Sequence, residues 1–202
     1  MTKIKLCGLS STQDIKAANR LTPDYIGFVF AEKSKRYITP KKASALKQQL
    51  HPSIKAVGVF VDEKIDTVAG LLLNSVIDMA QLHGGEDDGY IARLREMTGK
   101  PVIKAFIIRN AGDVKAAERS SADYILLDSG KGSGKPFDQS LLKEIKRPYF
   151  LAGGLSPENV AGAVQKLRPF AVDVSSGIET GGVKDIEKMT AFVGAVRKVD
   201  ET

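Results

Sequence analysis

The sequence predicts a single-domain α/β fold, a closed (β/α)8 barrel of the TIM type. Two observations carry that expectation: eight short β-rich runs recur about every 25 residues, and segments with helical start signals lie between them. Size is a third, since 202 residues with 43% hydrophobic content can bury one sizeable core. A doubly wound open sheet usually has about five to seven strands, so eight units favour closure. No linker, low-complexity tract or composition break interrupts the series, which makes 1–202 one catalytic-sized domain.

The runs are residues 4–7, 25–30, 56–61, 79–82, 102–107, 124–127, 149–151 and 171–174. Several are nearly continuous in apolar residues, as strands buried on both faces should be, and buried parallel strands need crossover helices between them. The first run stops at Cys7-Gly8, and Ser11-Thr12-Gln13-Asp14 then caps a helical pattern beginning Ile15-Lys16-Ala17-Ala18. The second leads into Ser34-Lys35-Arg36, after which Thr39-Pro40 starts a helix over 41–50. The third ends at Val61-Asp62, the fourth at His83-Gly84, and the sixth at Asp128, followed by Gly130-Lys131-Gly132-Ser133-Gly134. The seventh is followed by Gly153-Gly154, with Ser156-Pro157-Glu158 opening a helix over 160–167. The eighth is followed by Ser175-Ser176-Gly177.

Composition excludes several classes. No stretch approaches the roughly 18 apolar residues of a membrane span, and Met1-Thr2-Lys3-Ile4-Lys5 has no signal-peptide apolar core, so a cytoplasmic protein with no membrane partner is expected. One cysteine rules out an intramolecular disulfide and any multi-cysteine zinc site, while His51 and His83 offer little to a metal. A site without metal or cofactor follows. The net charge of +6, from 30 basic and 24 acidic residues, attracts anions. The charge alone does not choose among nucleic acid, anionic lipid and phosphorylated metabolites, but the basic residues are scattered through helical segments (Lys41, Lys42, Lys47; Lys115, Arg119; Lys143, Lys146) without interleaved aromatics, which argues against nucleic acid.

Barrel chemistry sits at the C-terminal ends of the strands. Cys7 ends the first, beside a glycine that lets the backbone turn, and its thiolate is a candidate base; a lone cysteine is otherwise a small buried hydrophobe. Asp128 ends the sixth, where its carboxyl group either faces the mouth or caps the next loop. Gly153-Gly154 and Ser175-Ser176 offer backbone N–H groups after strands seven and eight, the two loops that commonly share one phosphate in this architecture. Arg36 is either a bidentate carboxylate clamp or part of a solvated loop. His83 is more often structural than catalytic at such a position, and His51 has only a loop context.

Taken together, Lys5-Leu6-Cys7-Gly8, Gly27-Phe28-Val29-Phe30, Ser34-Lys35-Arg36-Tyr37-Ile38, Val57-Gly58-Val59-Phe60-Val61, Gln81-Leu82-His83-Gly84, Leu127-Asp128, Leu151-Ala152-Gly153-Gly154-Leu155 and Asp173-Val174-Ser175-Ser176-Gly177-Ile178-Glu179 resemble the phosphoribosylanthranilate isomerase family of tryptophan biosynthesis. The resemblance runs through nearly the whole chain in order. It implies an Amadori rearrangement without a cofactor, with Cys7 as general base, Asp128 as general acid, Arg36 on the anthranilate carboxylate, His83 and Asp173 at the substrate, and phosphate on Gly153, Gly154, Ser175 and Ser176. It also implies a monomer or a homodimer. The chain departs from the family at Gly130-Lys131-Gly132-Ser133-Gly134, where Gly-Gly-Ser/Thr-Gly is usual, at Phe137-Asp138-Gln139, which lacks a tryptophan, and at Lys35, where proline is frequent. The competing readings are another phosphosugar isomerase, such as that of histidine biosynthesis with an aspartate on strand one, a non-catalytic phosphate-binding barrel, and a basic nucleic-acid-binding protein. Fold alone does not separate them.

Overall fold

A computed structural model describes residues 1–130, 141–142 and 145–201. Eight strands form its centre: β1 (Lys3–Cys7), β2 (Tyr25–Val29), β3 (Lys55–Phe60), β4 (Met79–Leu82), β5 (Val102–Ile107), β6 (Tyr124–Asp128), β7 (Tyr149–Ala152) and β8 (Ala171–Val174). Each pairs in parallel with the next, and β1 pairs with β8, so the sheet closes as expected. The predicted runs at 79–82, 102–107 and 171–174 coincide with β4, β5 and β8, and the others differ by about one residue at an end.

Around the barrel, among the described residues, lie α1 (Thr12–Leu21), α2 (Pro40–Lys47), α3 (Ile65–Leu73), α4 (Asp88–Thr98), α5 (Ala111–Arg119), α6 (Val160–Leu167) and α7 (Ile186–Asp200). Local chemistry explains their starts. Ser11 and Asp14 exchange hydrogen bonds in a capping box on α1, and Thr39 caps α2 with Pro40 in its first turn. The helix expected over 160–167 is α6, although its N-cap is Asn159 rather than a residue of Ser156-Pro157-Glu158. The Asn159 amide takes the Ser156 N–H at 2.9 Å and donates to the Gly154 carbonyl at 2.8 Å, which folds 154–159 into a turn ahead of the helix. The segment between β6 and β7 falls mostly outside the described residues, and with it Lys131-Gly132-Ser133-Gly134 and Phe137-Asp138-Gln139.

Alternation along the strands makes two cores. Ile4, Leu6, Ile26, Phe28 and Phe60 face outward against helix residues such as Ile15, Val68 and Phe192. Val57, Met79, Ile103, Leu126 and Phe150 fill the barrel, over a floor where Tyr25, Tyr124, Phe150 and Phe170 stack with ring centroids 5.4 to 5.9 Å apart. After β8 the chain makes a hairpin that sequence reasoning did not anticipate, β9 (Glu179–Thr180) against β10 (Val183–Lys184). Its two-residue turn is Gly181-Gly182, both at positive φ (60° and 83°), the conformation that tight hairpins need and glycine supplies. Among the described residues no helix is long and apolar enough to cross a membrane.

At the floor, Asp24 ties three elements together. It accepts from Lys3 Nζ at 2.7 Å and the Ile4 N–H at 2.9 Å on β1, and from Arg197 of α7 at 3.4 Å. Partial burial works to raise the Asp24 pKa, but the Lys3 and Ile4 hydrogen bonds and the charges of Lys3 and Arg197 outweigh it, so the group sits below an ordinary aspartate. The folded protein therefore binds this proton less readily than the unfolded chain. Its contribution is present above the unfolded value, near pH 4, and is lost as pH falls below it. Urea unfolding of Asp24→Asn is expected to show lower stability at neutral pH and a flatter decline in acid than the parent; an unchanged acid slope would remove Asp24 from that role.

Candidate active site

Cys7 ends β1 facing inward, packed with Val29 of β2 and Val59 of β3. Space for its sulfur comes from the neighbouring strand, where Cys7 stands opposite Gly27. A Cβ at Gly27 would lie 2.6 Å from Sγ. Burial pushes the Cys7 thiol above its ordinary range; Lys5 pulls it down, Asp173 pushes it up, and Lys184 pulls it down, without reversing the effect of burial.

Two residues earlier on the same face, Lys5 is completely buried (0% exposed), and its Nζ donates to Asp173 Oδ1 of β8 at 2.8 Å. Burial works to lower the Lys5 pKa. The Asp173 charge, then Cys7 and their hydrogen bonds, more than offset that, so Lys5 keeps its proton.

Arg36 reaches the mouth from the loop after β2, with its side chain lying over Gly8. A Cβ there would meet Arg36 Cδ at 2.5 Å, and Gly8 has φ of 80°. The guanidinium is already engaged: Nε and Nη2 donate to the two oxygens of Glu179 at 2.6 and 2.7 Å, a bidentate pair. Glu179 also accepts from Lys184 at 2.6 Å, and Lys184 donates to the Ser175 carbonyl at 2.9 Å. Burial works to raise Glu179, but the Arg36 and Lys184 hydrogen bonds hold its carboxyl low; burial lowers Lys184 more than Glu179 raises it. The hairpin β9–β10 thus brings one anion and one cation to the mouth.

On the other side, Asp128 ends β6 and accepts the Gly130 N–H at 2.8 Å. His83, just past β4, places Nε2 3.7 Å from Asp128 Oδ2, and its Nδ1 stands 3.4 Å from the amide of Gln81. Burial lowers the His83 pKa more than Asp128 and Asp173 raise it, favouring the neutral ring. The loop carrying His83 is fastened from below, since Lys104 of β5 donates to the Gly84 carbonyl at 2.7 Å and to Glu86 at 3.0 Å. Glu86 in turn accepts from the Asp62 and Gly84 N–H groups at 2.8 and 2.9 Å.

The loops after β7 and β8 abut. Gly177 packs so closely on the β7 loop that a Cβ would lie 1.9 Å from the Leu155 carbonyl oxygen, and at Gly153 a Cβ would lie 2.2 Å from Ser129 Oγ. Gly153 and Gly154 have φ of 92° and 64°. Among the described residues, the N–H groups of Gly154, Ser176 and Gly177 donate to no other backbone or side-chain group. Ser175 Oγ instead donates to the Cys7 carbonyl at 3.2 Å.

Cys7, Arg36, Asp173 and Ser175 therefore gather where β1 meets β8, while Asp128, His83 and Gly153 gather at β4, β6 and β7. Asp173 and Lys5 act on both Cys7 and His83 and join the two halves. His51 is exposed beside Ser53 in the loop before β3, away from the mouth. Lys5, Lys104, Glu86, Glu179 and Lys184 were not singled out from sequence. Only the hairpin residues left a readable trace, Thr180-Gly181-Gly182-Val183.

The family model for N-(5′-phosphoribosyl)anthranilate (PRA) isomerase matches residues 4–195. The N-(5′-phosphoribosyl)anthranilate isomerase of Endomicrobium trichonymphae is 46% identical over 204 aligned positions, covering 98% of this chain and 100% of that one. Two crystal structures are similar throughout. The phosphoribosyl anthranilate isomerase of Thermotoga maritima has a TM-score of 0.89 at 36% identity, covering 98% of this chain and 100% of that one. A phosphoribosyl anthranilate isomerase in complex with reduced 1-(o-carboxyphenylamino)-1-deoxyribulose 5-phosphate has a TM-score of 0.87 at 35% identity, with the same coverage.

The seam between the β7 and β8 loops makes a sharp prediction. Gly177→Ala forces backbone against backbone and is expected to cost about 1–3 kcal/mol of stability in chemical denaturation. Gly162→Ala, in the exposed interior of α6 with nothing near its missing Cβ, is expected to gain about 0.5–1 kcal/mol. Equal effects of the two substitutions would contradict the close approach.

Proposed function

The chain belongs to the phosphoribosylanthranilate isomerase family, and on that premise we propose that it converts N-(5′-phosphoribosyl)anthranilate into 1-(2-carboxyphenylamino)-1-deoxyribulose 5-phosphate with Cys7 as base and Asp128 as acid. The protein is an isomerase of tryptophan biosynthesis. The observation that carries the residue assignment is the meeting of one thiol and one carboxyl group at a single mouth, linked by Lys5, Asp173 and His83.

An Amadori rearrangement needs one proton delivered and one removed. Asp128 gives its proton to the furanose ring oxygen, the C1′–O bond breaks, and the anthranilate nitrogen supplies the electron pair of a protonated imine. Cys7 then removes the proton from C2′, and that electron pair flows to the imine nitrogen to give an enolamine. Tautomerisation yields the ketone. The iminium cation is itself the electron sink, and its charge beside Cys7 favours the thiolate that burial disfavours. Neutral His83, 3.7 Å from Asp128, is close enough to adjust toward that carboxyl group without adding a competing positive charge.

The substrate's phosphate is assigned to Gly153, Gly154, Ser175 and Ser176. Unengaged N–H groups at Gly154 and Ser176 and the contact between the two loops support it. Its anthranilate carboxylate is assigned to Arg36, whose guanidinium is held in a fixed plane by Glu179, with Asp173 bordering the sugar.

The function is tested by asking whether the gene restores growth without tryptophan to a bacterium lacking this isomerase, and whether the purified protein turns over the substrate. Growth and turnover are expected; a folded protein that binds product but does not turn over substrate would return the chain to a binding role. Cys7→Ala and Asp128→Asn are each expected to lower kcat by at least about 10²-fold with product affinity within about threefold of the parent. Activity within about tenfold of the parent would remove the substituted residue from its role. Arg36→Met is expected to weaken product binding by about 2 kcal/mol or more in calorimetry, whereas unchanged affinity would leave Arg36 as a structural partner of Glu179.

A further inference from the structure

We propose that Lys5 is a positioning residue for the reaction: its buried ammonium is the counter-charge for the Cys7 thiolate, and Asp173 sets how much of that charge the sulfur receives. This rests on Cys7 acting as the base, and deepens that reading.

An ion pair in the middle of a barrel needs a reason. The layer below it is apolar, with Val57, Met79, Ile103, Leu126 and Phe150, and the layer above holds Val29 and Val59 beside Cys7. Closure between β1 and β8 is already made by the backbone ladder from Lys3↔Ala171 to Leu6↔Val174. An apolar pair of similar volume would close the barrel as well or better, because desolvating two charges offsets most of their attraction. Position supplies the reason. Lys5 and Cys7 are two apart on one strand and share its inner face, and an ammonium has three protons to place. Asp173 takes one at 2.8 Å, and the sulfur is the next acceptor along the strand.

Four charged groups bear on the thiol: Lys5 from β1, Asp173 from β8, Lys184 from β10 and Arg36 from the loop after β2. Lys184 spends its protons on Glu179 and on the carbonyl and hydroxyl of Ser175, and Arg36 spends two donors on the same Glu179. Those two cations are shared with Glu179. Lys5 and Asp173 are the pair whose separate removal should move Cys7 in opposite directions.

Cys7 is the sole cysteine, so ultraviolet absorbance of the thiolate, taken as a difference against Cys7→Ala to cancel tyrosine ionisation, titrates this one group. Lys5→Met is expected to raise the midpoint, cutting the thiolate fraction at a fixed pH below it by about tenfold. Asp173→Asn is expected to lower it, and the double variant to fall between the two. The rising limb of kcat/KM against pH should follow the thiol midpoint in each variant. An unmoved midpoint in Lys5→Met, or a shift of the same sign in both single variants, overturns the proposal. Where Lys5→Met does not fold, Asp173→Asn decides, since a midpoint unchanged or raised there contradicts it. The titration needs no turnover, so it stands apart from the Cys7→Ala activity measurement that tests the base assignment itself.

Discussion

Lys5 and Asp173 meet at 2.8 Å halfway up the barrel, at the seam where the last strand closes onto the first. Parallel closure fixes which strand ends share a mouth, and this seam fixes what lies beneath it. Below the pair the interior is packed hydrocarbon and stacked rings; above it the Cys7 thiol lies beside Val29 and Val59. The charges set around the barrel and its mouth are tolerated because each has a partner: Lys5 with Asp173, Lys104 with Glu86, and Arg36 and Lys184 with Glu179. An unpaired charge at such depth would be expelled or neutralised.

Glycines make the rest of the geometry possible. Gly27 leaves room for the Cys7 sulfur, Gly8 lets the Arg36 stem cross the first loop, and Gly177 lets the β8 loop touch the Leu155 carbonyl. Each is a place where a side chain would occupy the space that a neighbouring functional group needs. The mouth is thus built as much by missing Cβ atoms as by the groups that line it, and its positions are held by the strands rather than by the loops alone.

The strands were legible in the sequence because burial on both faces turns several of them into nearly continuous apolar runs, as at 56–61. The strand ends were legible too, so Cys7 and Asp128 stand out in the sequence as the last residues of β1 and β6. What the sequence hid were pairings between distant segments. Nothing local to Arg36 points to Glu179, 143 residues away, and nothing local to Lys5 points to Asp173, 168 residues away. The bounds of α6 were legible as well, but its cap was not: Ser156-Pro157 reads as the helix opening, whereas Asn159 binds the Ser156 N–H and the Gly154 carbonyl and folds that pair into a turn ahead of the helix. The β9–β10 hairpin carried a legible Gly-Gly turn, but its strands of two residues are too short for periodicity to register.

The proposed reaction requires a substrate held between Cys7 and Asp128, and a crystal structure of this protein with the reduced rearrangement product tests that arrangement most directly. The expected result places Cys7 Sγ about 3–3.5 Å from C2′, the Asp128 carboxyl group on the side of the ribose chain that carries the former ring oxygen, and the phosphate against the Gly154 and Ser176 N–H groups. A ligand whose phosphate lies away from the β7 and β8 loops, or whose C2′ lies out of reach of Cys7, would contradict it.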